Sequence, residues 1–72
     1  MEPNEIFELI IKADEKIKYA KPGRDDLRAG QARALLEQAR DAASEIDNDA
    51  LVTQAERRLG DLDALASGAD PG

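Results

Sequence analysis

The chain has 72 residues, 36% of them charged, with a net charge of −6 and neither cysteine nor histidine. That length suits one domain; the missing thiols and imidazoles remove disulfides and zinc from consideration, and the acidic balance argues against nucleic acid, whose phosphates need a net basic surface. No stretch approaches the roughly 18 apolar residues of a membrane span, and the acidic start Met1-Glu2-Pro3-Asn4-Glu5 lacks the basic and apolar regions of a signal peptide, so the expected setting is cytoplasmic.

A first helix is predicted over residues 4–20, with Asn4 as N-cap and Glu5 and Glu8 near the positive end of the helix dipole. Its core stripe is Ile6, Leu9/Ile10, Ala13, Ile17 and Ala20, and Glu8–Lys12 and Asp14–Lys18 have the spacing of i,i+4 ion pairs. Lys21-Pro22-Gly23-Arg24 is the clearest break, because Pro22 disfavours helix at the residue before it and Gly23 permits positive φ.

A second helix is predicted over 25–46, opened by Asp25 or Asp26. Its seam repeats at intervals of three and four: Ala29, Ala32, Leu36, Ala39, Ala43, Ile46. Gly30 interrupts it. Either the first turn and a half is loose, or Gly30 lets another backbone approach closely, and the second reading is preferred.

Asp47-Asn48-Asp49 reads as a turn, with Asn48 in the left-handed position and Asp49 capping the next helix. It lacks the glycine and the distal glutamate of a calcium loop. The third helix, 49–66, carries Val52, Ala55, Leu59, Leu62 and Ala66 on its seam. Three helices with short connections predict an all-α, antiparallel up-down-up bundle over residues 1–67, followed by a flexible tail at 68–72.

Residues 32–60 resemble the second helix of a tetratricopeptide-type repeat running into the first helix of the next. Ala32, Leu36 and Ala39 have the small-large-small spacing of that family, and Leu59-Gly60 resembles the pair on a following first helix. The segment lacks the family's aromatic residues in its third helix. The chain is also similar in length, topology and Ala-rich seams to three-helix domains of the microtubule-interacting-and-transport type. Both resemblances imply a groove between helices that accepts a peptide or a helix.

Two surfaces are candidates for such a contact. Charge is uneven: residues 12–40 hold eight Lys/Arg against five Asp/Glu, net +3, residues 41–72 hold two against eight, net −6, and residues 1–11 add −3. The bundle gathers Lys16, Lys18, Lys21, Arg24 and Arg28 around the first turn. That cluster is either a basic cap for an acidic peptide or phosphate, or simple dipole compensation. Phe7 and Ile11 lie one turn apart beside the core stripe of the first helix. Either this wide apolar face is buried between the other two helices, or it is an exposed patch for a partner helix or a second copy. Leu27 lies off the seam, either folded over the turn or singly exposed.

The sequence contains no paired acid and base, no nucleophile in a catalytic setting and no phosphate loop, so no enzyme activity, cofactor or metal is expected. The reading is a non-catalytic protein-interaction module, with Phe7, Ile11, Lys18, Lys21, Arg24 and Arg28 as partner-binding residues and a protein, a peptide or a second copy as partner. The alternative is a structural or regulatory accessory domain without its own ligand.

Overall fold

A computed structural model describes residues 1–20 and 27–66. They form three helices, α1 (Pro3–Tyr19), α2 (Leu27–Glu45) and α3 (Asp49–Ala66), in the predicted all-α antiparallel bundle. The predicted break at 21–24, the opening Asp25 and Asp26, and the tail at 68–72 lie outside the described residues.

Helix α1 begins earlier than Asn4. Pro3 occupies the first helical position, where a fixed φ fits the helix and the missing N–H has no partner to lose. Glu2 is therefore the N-cap, and its backbone N–H donates to Glu5 Oε1 at 3.2 Å. Glu5 thus closes half of a capping box. At the other end the chain turns extended at Ala20, whose N–H donates to the Ile17 carbonyl at 3.1 Å.

The α2–α3 corner is shifted by one residue from expectation. Asp47, not Asn48, takes the left-handed conformation, at φ 56°. Its N–H donates to Ser44 O, and the Asn48 N–H donates to Ala43 O at 2.8 Å. These two bonds make a Schellman motif, satisfying carbonyls that the helix end leaves without partners. Asn48 then caps α3: its Oδ1 accepts from the Leu51 N–H at 3.2 Å. One asparagine thus closes one helix and opens the next, which is why the connection is so short.

The buried core is Ile6, Ile10 and Ala13 from α1, Ala32, Leu36, Ala39, Ala42 and Ala43 from α2, and Leu51, Ala55, Leu59 and Leu62 from α3. Leu9, Ile17, Ala29, Leu35 and Val52 pack on its edges. The central helix contributes one large side chain, Leu36, among four alanines, so the bulk comes from α1 and α3. Small seams bring helices to the near end of the 8–10 Å range. Ile46, predicted on the seam, lies past the end of α2 and is exposed. Among the described residues no backbone of another element approaches Gly30. The residue is helical and exposed, and a Cβ built there meets nothing within 4 Å.

Antiparallel α2 and α3 are tied across their ends by Arg33, early in α2, and Asp63, late in α3. Helices α1 and α3 each pack closely on α2, whereas they meet each other through far fewer residues. The bundle therefore has one open side. Among the described residues no helix is long and apolar enough to cross a membrane.

Candidate interaction surface

The open side forms a groove of ≈ 620 Å³, walled by Asp14 and Ile17 of α1 and by Gln54, Arg57, Arg58 and Asp61 of α3. Arg58 bridges it: its Nε donates to Asp14 Oδ1 at 2.6 Å and its Nη1 to the Gln54 carbonyl at 3.1 Å. Asp14 therefore pairs across helices and not with Lys18 four residues on. The predicted Glu8–Lys12 pair is likewise absent among the described residues. Long exposed side chains lose more rotamer entropy than such a pair returns.

Ile11 and Phe7 lie about one and two turns before Asp14 on α1, outside the lining of this groove, and are not buried inside the bundle. Phe7 is 46% exposed and Ile11 43%, while Ile6 and Ile10, their immediate neighbours in sequence, are fully buried. The reason is angular. Successive residues turn 100°, so Ile6 and Ile10 point between α2 and α3, and Phe7 and Ile11 fall to the side. Had α3 lain as close to α1 as α2 does, that side would be covered. Phe7, Ile11, Asp14 and Lys18 fall within about 60° of one another around α1 and form a single stripe. Glu8 and Glu15 lie about 40–60° further round, on the edge away from α3. Both are exposed and neither forms an ion pair among the described residues. The sequence reading missed these two glutamates as flanking residues, although the same 100° count places them there.

The basic cluster is only partly in view. Lys21 and Arg24 lie outside the described residues. Lys18 is exposed, its Nζ 5.7 Å from the Tyr19 ring centroid, a distance at which a cation is attracted to the ring face. Lys16 is half-buried, and Arg28 is exposed in the first turn of α2. Dipole compensation explains α1, with Glu5 in its first turn and Lys16 and Lys18 in its last. It does not explain α2, which has Arg28 near its start and no basic residue in its last turn. Leu27, at the start of α2, is 75% exposed.

Among the described residues no group of three or more acids is placed to hold a metal ion. Comparisons with protein-family models, with curated proteins and with solved structures give no match.

Proposed function

We propose that the chain is a non-catalytic protein-interaction module that seats a helix of a partner on the α1 stripe beside the α1–α3 groove. The observation that carries this is the half-exposure of Phe7 and Ile11 next to fully buried Ile6 and Ile10. An i,i+4 apolar pair is the unit by which one helix anchors in the groove of another. Two half-exposed side chains one turn apart on α1 suit a contact that the bundle itself leaves unfilled. The resemblance of residues 32–60 to a tetratricopeptide-type hairpin points the same way, since such hairpins hold peptides between helices.

The test is paired capture with the full chain and the F7A/I11A variant, each shown to be folded by circular dichroism. Loss of specific partners on the double substitution is the expected result. An unchanged set of partners would remove the stripe from the function and favour an accessory domain without its own ligand.

A further inference from the structure

We infer that one end of the bundle, residues 27–34 of α2 together with residues 60–64 of α3, opens and closes as a single unit while the opposite end stays folded. This movement involves neither Phe7 nor Ile11.

The two ends are built differently. At the folded end the Asp47 and Asn48 N–H groups close α2, Asn48 Oδ1 caps α3, and Glu5 holds the start of α1. Toward the other end α2 and α3 each carry a glycine, Gly30 and Gly60. Both are exposed, and a Cβ at either meets nothing within 4 Å, so no packing requires them. Glycine inside a helix weakens it, because it has the most backbone freedom to lose. The buried side chains of the two segments are Ala32 and Leu62, so they bring one large apolar group to hold this end closed.

Charge couples the segments. The start of α2 has no acid in its first turn and carries Arg28, and the end of α3 has no base in its last turn and carries Asp61 and Asp63. Each set opposes the dipole of its own helix, so neither segment is favoured as a helix by itself. Side by side the signs are right. Antiparallel packing sets the positive start of α2 against the negative end of α3, and Arg33 pairs with Asp63 between them. Unwinding one segment therefore strips the other of its compensation and uncovers its buried side chain. Segments coupled in this way open together, at a lower free energy than the whole fold. Helix α1 differs: Lys16 and Lys18 in its last turn suit its own dipole, and it is not part of the unit.

The test is native-state hydrogen exchange followed by NMR on the full chain, under conditions where exchange reports the opening equilibrium. The expected result is that amides 31–34 and 61–64 share one opening free energy and exchange faster than amides 39–43 and 55–59. Gly60→Ala should slow both fast sets about fivefold, and Gly30→Ala should do the same. Arg33→Gln should speed both sets by up to about fivefold, and by less in about 1 M salt. If each glycine replacement slows only the amides of its own helix, the two segments fray separately and the inference is overturned. Protection of the two sets equal to that of the central amides would also overturn it, since the bundle would then open only as a whole. An effect of Arg33→Gln confined to amides 31–34 would remove the coupling across the helices, and the single unit with it.

Discussion

Ile10→Ala and Phe7→Ala, three residues apart on one helix, should separate packing from recognition. Ile10 is fully buried, and truncating such a side chain removes its transfer energy and leaves a cavity, about 3 kcal/mol within the usual range of 2–5. Phe7 starts from 46% exposure. Of roughly 200 Å² of side chain, about half leaves water, an upper bound of about 2.5 kcal/mol at 25 cal/mol per Å². A compact unfolded state lowers that by up to about 40%. Alanine is also the better helix former, by roughly 0.5 kcal/mol. The net loss for Phe7→Ala is about 1 kcal/mol. A domain this size holds about 4–11 kcal/mol in all. Urea unfolding followed by circular dichroism should therefore show a small fall in midpoint for Phe7→Ala and a large one for Ile10→Ala. In thermal melts the first is worth about 4–8 °C and the second two to three times as much. If Phe7→Ala costs as much stability as Ile10→Ala, then Phe7 is packed inside the bundle in solution, and the reasoning for an interaction stripe fails.

At the α2–α3 corner, Asp47→Gly should raise stability by about 0.5–1 kcal/mol, because glycine adopts positive φ without the Cβ penalty. Asn48→Ala should lower it by about 1 kcal/mol through loss of the α3 cap; thermal melts of both variants check the assignment, and the opposite signs would refute it. Gly30→Ala and Gly60→Ala should each stabilise by about 0.8–1 kcal/mol, since an added Cβ meets nothing within 4 Å at either site. A destabilised double variant would mean that something packs against those positions. Asp14→Asn should cost no more than about 1 kcal/mol, as its bond to Arg58 is partly exposed, and the difference from the native chain should shrink in about 1 M salt; a salt-independent loss would mean the pair is shielded from solvent.

The three-and-four spacing made the helices and most of the core legible, because Ile6, Ile10, Leu36, Ala39, Leu59 and Leu62 can only be covered together if three helices pack. Helix ends were less legible. Glu2 and Asn4 both stand just ahead of the apolar stripe that starts at Ile6, and the choice depends on Pro3 serving as the first helical residue. At Asp47-Asn48-Asp49 the same residue types fit the corner in two registers, and only the carbonyls of Ala43 and Ser44 select one. The candidate surface was legible as a pair of alternatives. Whether Phe7 and Ile11 are covered depends on how far α3 stands from α1, and that separation is set by side chains meeting across the bundle, with no periodic signature along the chain.

The alanine seam of α2 has a consequence for which substitutions the chain tolerates. Ala32, Ala39 and Ala43 have no solvent exposure and no volume to give up. Replacement by serine or glycine there changes little in shape, whereas leucine or phenylalanine would wedge the helices apart, at about 1–3 kcal/mol or more each. At Ile6, Ile10, Leu59 and Leu62 the sensitivity runs the other way: shortening opens voids, and exchange among large aliphatics is accepted. A saturation scan of this chain should therefore divide by helix. Its middle helix should be intolerant of size and its outer two intolerant of loss, with half-exposed Phe7 and Ile11 following neither rule.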